Sequence, residues 1–239
     1  MAKNLLSQEI TFVFKISDNM IAMKLFSLII SLIIPGGSLT IAGRYKTALA
    51  IPLMGLFWVM LFSQLRWLIT PTGFAIMLLG LLSLHLLSYL FGAQLILNNK
   101  IKRAWLILLL VIALNLIIII TSHLNKAQWF GFAFYHIPSV SMQPTLQVGD
   151  VILVDTWNKK ANIQDIIVTK ITEKSLVIVK RVSNTQITNN GKELFITGDN
   201  RYRSTDSRKF GWVKVKHLIG SVKFVWFSFK RKRWFKKIQ

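Results

Sequence analysis

Hydrophobic and polar positions change their rhythm near residue 125. Upstream, the apolar runs are long. Thr47–Gln64, Pro71–Gly92 and Ala104–Ser122 each approach the ~20 residues that cross a hydrocarbon core, so three membrane-spanning helices are expected. A shorter run, Leu25–Ile34, ends at Pro35-Gly36-Gly37. It is too short to cross alone, so residues 24–42 are expected to form a re-entrant or interfacial segment, with a fourth span as the alternative. From about Gly131 short runs take over: Val151–Asp155, Ile166–Lys170, Leu176–Arg181, Leu194–Thr197 and Val222–Phe229. Turn signals separate them, including Asn190-Gly191, which favours a tight hairpin. The pattern predicts a multi-span α-helical membrane anchor over residues 1–125 and a small all-β domain over 126–239.

Basic residues orient the spans. Arg44 and Lys46 precede the first, and Lys100, Lys102 and Arg103 precede the third, whereas the loop between the first two carries only Arg66. Basic loops stay in the cytoplasm, which puts the 93–103 loop inside and everything after Ser122 on the far side. Two polar residues, His85 and Asn115, fall inside spans without an ionisable neighbour at helical spacing, and both are expected to pack between helices.

Composition narrows the classes. Apolar residues make up 53% of 239, and the net charge is +21. In a soluble chain that charge would point to nucleic acid. Beside membrane spans, anionic lipid headgroups are the better partner, and no nucleic acid is expected. The tail SVKFVWFSFKRKRWFKKIQ interleaves Trp226, Phe227, Phe229, Trp234 and Phe235 with lysine and arginine. It reads as a surface resting on the membrane rather than a plain exposed edge strand. There are no cysteines, which excludes disulfides and cysteine nucleophiles, and the four histidines lack metal-ligand spacing. No metal or other cofactor is therefore expected. No small-residue cleavage site follows the first apolar run, so no cleavable leader is expected.

Three blocks after the last span carry chemistry. SVSMQPTLQVGD places Ser141 in a short turn bounded by proline, directly before a strand. VIVKR ends an apolar strand on Lys180, and GDNRYRSTDSR supplies a polar loop. A serine hydroxyl is a weak nucleophile and needs a base. None of His85, His123, His136 or His217 fits that role. A lysine serves if burial lowers its pKa from ~10.4 to about 7–8, because desolvation disfavours the ammonium form. Lys180 follows Leu176-Val177-Ile178-Val179, so it is expected to be dry, with Arg181 on the opposite face of the strand.

The strings IPSVSMQPTLQVGDVILVD, IVKRV and FITGDNRYRSTDSRKFGWV, with HLIGSVKFVWFSF as a last strand, resemble the type I signal peptidases over residues 136 to about 229. These are bacterial membrane-bound serine endopeptidases with a Ser-Lys dyad that remove N-terminal signal peptides from exported preproteins. The resemblance implies a catalytic domain of the signal peptidase type on the extracytoplasmic side of the bacterial cytoplasmic (inner) membrane, on a multi-pass anchor. It implies Ser141 as nucleophile and Lys180 as general base, with the Ser141 N–H and the Ser139 hydroxyl as oxyanion hole. Ser204 would orient the lysine, Asp206 and Arg208 would brace the loop, and Met142 and Pro144 would fix the turn and help shape the cleft.

Some features depart from the family. VSNTQITNN stands where the family turns through Pro-Gly-Asp. Only 24 positions separate Lys180 from Ser204, which implies a minimal core without a large inserted β-domain. The membrane half is also longer than the usual one or two spans. Those extra spans leave open a dedicated processing peptidase for one pilin or conjugation client. A non-catalytic scaffold is a further alternative, against which Ser141, Lys180 and Ser204 stand intact.

Overall fold

Long apolar helices and short, tightly paired strands segregate into two units in the computed structural model, which describes residues 21–98, 105–171, 176–189, 191–228 and 232–238. One unit comprises Met1–Leu61 and Ala75–Leu124; the other comprises Phe62–Phe74 and Asn125–Gln239.

The membrane unit contains α1 (Ile21–Ile33), α2 (Gly37–Ile41), α3 (Tyr45–Gln64), α4 (Pro71–Leu97) and most of α5 (Trp105–Trp129). The last three are long and apolar enough to cross a membrane. Helices α4 and α5 run past the apolar runs that predict them. The backbone ladder continues through polar residues such as Gln94 and Asn125-Lys126 because a helix satisfies its own backbone groups. Many apolar side chains on these helices, Leu79, Leu87, Leu106 and Ile120 among them, are exposed as lipid-facing positions should be.

At 1.5 Å per residue, α1 reaches only about 20 Å. It breaks at Pro35-Gly36, where Gly36 takes φ 81 and lies so close to the Ala48 carbonyl that no side chain fits. Carbonyls freed at such a break need partners in lipid. His85 Nε2 lies 2.8 Å from the Leu32 carbonyl oxygen, which marks it as the protonated ring nitrogen. Asn115 Nδ2 donates to the Pro35 oxygen at 3.3 Å. Both residues therefore do more than pack: each supplies a hydrogen bond that the broken helix lacks.

In the second unit the described strands are β1 (Phe132–His136), β2 (Asp150–Asp155), β3 (Ile166–Ile171), β4 (Leu176–Thr188), β5 (Gly191–Thr197), β6 (Val213–Lys214), β7 (Leu218–Ser228) and β8 (Arg233–Lys237). They form one antiparallel sheet in the order β1-β2-β7-β3-β4-β5-β6, with β8 also on β7. A short helix, α6 (Ser207–Phe210), precedes β6. Strands β2 and β3 are buried on both faces, which is why DVILVD and IIVTKI read as continuous apolar runs. One core cluster holds Met142, Leu146, Ile152, Val154, Ile166, Val168 and Val225. The other holds Ile167, Val182, Leu194 and Ile196. Thr188 pairs with Gly191, so β4 and β5 turn back within two residues; Asn190 itself lies outside the described residues. Of the tail, Phe229 and Arg231 lie outside them too, while Trp234 and Phe235 are exposed.

Candidate active site

The turn carrying Ser141 is built from its ends inward. Ile137 extends the β1–β2 ladder, its N–H donating to the Asp150 carbonyl at 2.8 Å and its carbonyl accepting from Gly149 at 2.9 Å. The chain then crosses over and turns, with Leu146 N–H donating to the Met142 carbonyl at 2.9 Å. Met142 and Leu146 plug into the core, at 1% and 0% exposure, and fix the turn from below. Pro144 is exposed and follows a cis peptide bond. Ser141 stands between the buried Met142 and the exposed Ser139.

Strand β4 brings in the amine. Its alternation puts Ile178, Lys180 and Val182 on one face, and pairing with Ile167 of β3 places Lys180 mid-sheet. Lys180 is 4% exposed, and its Nζ lies 2.6 Å from Ser141 Oγ. Burial pushes the Lys180 amine below the usual lysine range, and Asp206 and Asp199 only partly offset this. A hydroxyl and an amine at this separation, with the charged form of the amine disfavoured, are arranged to exchange a proton. Ser139 Oγ lies 3.2 Å from Ser141 Oγ, so a second hydroxyl borders the same point.

The 198–208 loop closes the site from the other side. Ser204 is buried, but its hydroxyl donates to Asp206 Oδ2 at 2.6 Å rather than to the lysine. Asp206, at 0% exposure, also accepts from the Gly198 N–H at 2.9 Å and from Arg208 Nε and Nη2 at 2.9 and 2.8 Å. Burial alone would raise its carboxyl pKa. The hydrogen bonds from Arg208, Gly198 and Ser204 outweigh that and hold it well below the usual carboxylate range. Asp206 and Arg208 therefore brace the loop, and neither reaches Ser141.

A second brace escaped sequence reasoning, which assigned Arg181 only a face. Arg181 grips Asp199 with Nε to Oδ1 at 2.9 Å and Nη2 to Oδ2 at 2.8 Å, and its Nη1 reaches the Gln164 carbonyl at 2.8 Å. Thr145 Oγ1 donates to Asp199 Oδ2 at 2.5 Å. This bidentate pair ties β4, the 198–208 loop and the Ser141 turn together. Gly198 was also missed. A Cβ there would fall inside contact with Ser204 Oγ and 2.5 Å from the Ser141 carbonyl oxygen. The available signal was the Gly198-Asp199 pair opening the GDNR block.

Comparison with known proteins points to one family. The family model for signal peptidase, peptidase S26, matches residues 103–186 and 183–227. The signal peptidase complex catalytic subunit SEC11 of Zygosaccharomyces rouxii is 28% identical over 90 residues, 36% of this chain and 54% of that protein. Signal peptidase I of Bacillus caldolyticus is 47% identical over 38 residues, 16% of this chain and 21% of that protein. The match thus spans about half the length of the first relative and about a fifth of the second. With just over half of its length inside the family model, the chain belongs to the signal peptidase family, peptidase S26.

Proposed function

We propose that this protein is a membrane-bound serine endopeptidase that uses Ser141 and Lys180 to remove N-terminal signal peptides from exported preproteins. The observation that carries the reading is the 2.6 Å approach of the buried Lys180 amine to Ser141 Oγ. Neutral Lys180 takes the Ser141 proton as the oxygen attacks the scissile carbonyl. The tetrahedral oxyanion is held by the Ser141 N–H and the Ser139 hydroxyl; losing one such donor costs ~10²–10³ in rate. On collapse, protonated Lys180 gives its proton to the leaving amine, and the new chain end departs. The lysine then activates water, which releases the signal peptide from Ser141. Ser204 acts through Asp206, helping to fix the wall beside the amine.

The substrate docks as an added strand. β5 pairs with β4 only from Arg181 onward, so among the described residues nothing pairs the β5 side of Leu176–Val179. An extended peptide laid there finds main-chain partners and runs straight to Lys180. The +21 charge and the exposed Trp234 and Phe235 support contact of the basic tail with anionic lipid.

The α1–α2 segment is re-entrant in this reading. Helix α4 serves as a ruler: Lys24 Nζ donates to the Leu97 carbonyl, the Leu32 carbonyl accepts from His85 Nε2, Ser38 Oγ donates to the Ser88 carbonyl, and Ile41 packs with Ile96. The segment climbs from one end of α4 to about its middle and returns, so both its ends lie on the cytoplasmic side.

The function is tested with detergent-solubilised protein and a preprotein bearing an intact signal peptide. Wild type should release a product whose new N-terminus lies at the signal-peptide junction, and Ser141→Ala should release none. A folded wild type that leaves a range of preproteins uncut would overturn the reading.

A further inference from the structure

The loop between the first two spans is too well built to be a simple connection. Arg66 at its tip takes φ 61 and pairs through Nη2 with Asp155 Oδ1 at the end of β2. Asp155 is 2% exposed, and the same oxygen accepts from the N–H groups of Trp157 and Asn158 at 3.2 and 3.1 Å. The Arg66 guanidinium also lies over the Trp157 ring, 5.3 Å from its centroid. Around this point the last turn of α3 and the first turn of α4 join the sheet. Phe62 and Leu68 are buried, Ser63 Oγ donates to the Trp129 carbonyl at 3.3 Å, and Phe74 meets Trp226 of β7 edge-on at 4.9 Å. The end of α5 reaches the same node, its Ala127 and Gln128 carbonyls accepting from Thr156 Oγ1 at 2.6 Å and Trp157 Nε1 at 2.9 Å.

From this we propose that the α3–α4 tip is a docking element of the catalytic unit, with Arg66 as the positioning residue that holds the active site in register for a substrate embedded in the bilayer. This rests on the signal peptidase reading. β2 begins at Asp150, whose backbone and side chain anchor the Ser141 turn. It ends at Asp155, about 17 Å away at strand rise, in the grip of Arg66. Pinning that far end ties the sheet, and the Ser141 turn with it, to the α3–α4 tip as one piece and leaves the geometry within the site unchanged. Without the tip, the sheet would be held by the end of α5 alone, through the Ala127, Gln128 and Gly131 carbonyls. With it, the sheet joins the ends of three spans. A short soluble peptide brings its scissile bond to the site in any orientation of the unit. A preprotein whose apolar segment is fixed in lipid does not, and a 1 Å error in presentation costs about 10²-fold. The charge matters to topology as well: Arg66 is the lone basic residue of a loop on the non-cytoplasmic side, and its charge is taken up by Asp155.

The test compares two substrates on the full-length protein in liposomes: a soluble peptide spanning a cleavage junction and a membrane-inserted preprotein. Arg66→Ala and Arg66→Glu should leave kcat/KM for the peptide within twofold. Both should lower cleavage of the inserted preprotein at least tenfold or shift the cut by one or more residues, and Arg66→Lys should restore most of it. Equal loss on both substrates would reduce the tip to a fold-stabilising part and overturn the proposal, as would no loss on either. If wild type cuts neither substrate, the peptidase reading fails instead, and hydrogen exchange still reads the dock. Arg66→Ala should speed exchange at residues 66–69 and 155–158 and leave residues 178–182 unchanged. Unaltered exchange at the tip would overturn the docking claim by itself.

Discussion

Replacing Gly198 with alanine adds one methyl group at the most crowded point of the site. Its Cβ would stand 2.5 Å from the Ser141 carbonyl oxygen and closer still to Ser204 Oγ, where ordinary contact begins at 3.4 Å. Neither neighbour yields easily. The Ser141 carbonyl accepts from the Asn200 N–H at 3.0 Å, and the Ser204 hydroxyl is held by the buried Asp206. The turn must therefore move by about 1 Å, a displacement that costs about 100-fold in rate when it separates reacting groups. Overpacking should also cost about 1–3 kcal/mol of stability. Gly211→Ala is the matched control. Gly211 has φ 80 and ψ −159, a region open essentially to glycine alone, but open space around its would-be Cβ, so alanine there costs a similar ~1–3 kcal/mol in backbone strain without touching the site. Steady-state kcat/KM and thermal unfolding on both variants separate the effects. Gly198→Ala should lose about two orders of magnitude in kcat/KM and Gly211→Ala less than threefold, at comparable unfolding temperatures. Activity in Gly198→Ala within threefold of wild type, or equal losses in the two variants, would refute the reasoning.

Other outcomes follow from the same geometry. Because the amine must be neutral to act as base, kcat/KM should rise with pH through the lowered pKa of Lys180 and then level off; a rate flat across that range would remove the lysine from the rate equation. Stability carries a matching sign. Between its lowered folded pKa and ~10.4 Lys180 is neutral when folded and protonated when unfolded, so it destabilises the fold there and the penalty fades as pH rises. Chemical denaturation of Lys180→Met should accordingly show a more stable protein near neutral pH, with the advantage shrinking towards pH 10. Asp206 works the other way: its folded pKa is depressed, so it contributes stability above the unfolded value of ~3.9 that is lost as pH falls through the folded pKa. Asp206→Ala, which strands Arg208 and the Gly198 N–H, should lose about 3 kcal/mol at pH 7 by denaturant unfolding. The absence of native cysteines allows single-cysteine labelling without prior substitutions. Cysteines at Lys24 and Arg44 should both react with an impermeant maleimide only from the cytoplasmic side; opposite sidedness would mean that residues 24–42 span the membrane.

Much of this architecture is legible along the chain because its signals are local. Apolar runs near the bilayer thickness announce α3, α4 and α5, and the apolar approach to Lys180 announces a dry strand. The polar half of β4, from Ser183 to Thr188, shows no such signal because its hairpin with β5 is largely solvated. β1 hides in FAFYH, too short and too aromatic to separate from the helix before it. What sequence could not reveal is pairing at a distance. Arg66 finds Asp155, Arg181 finds Asp199, and His85 finds a carbonyl of α1; each partner is chosen by the fold, not by spacing. Ser204 shows the same limit: nothing in the string tells that its hydroxyl donates to the Asp206 carboxylate.

The central claim is that the Lys180 amine activates Ser141, and Lys180→Ala tests it most directly. Its kcat/KM on a preprotein should be measured beside wild type, with unfolding temperature confirming the fold. The expected result is a folded, membrane-bound protein with cleavage reduced by at least three orders of magnitude, and Lys180→Arg, whose guanidinium stays charged, equally inactive. Near-normal cleavage by Lys180→Ala would contradict the claim, because a base other than the amine 2.6 Å from Ser141 Oγ would then be taking the proton.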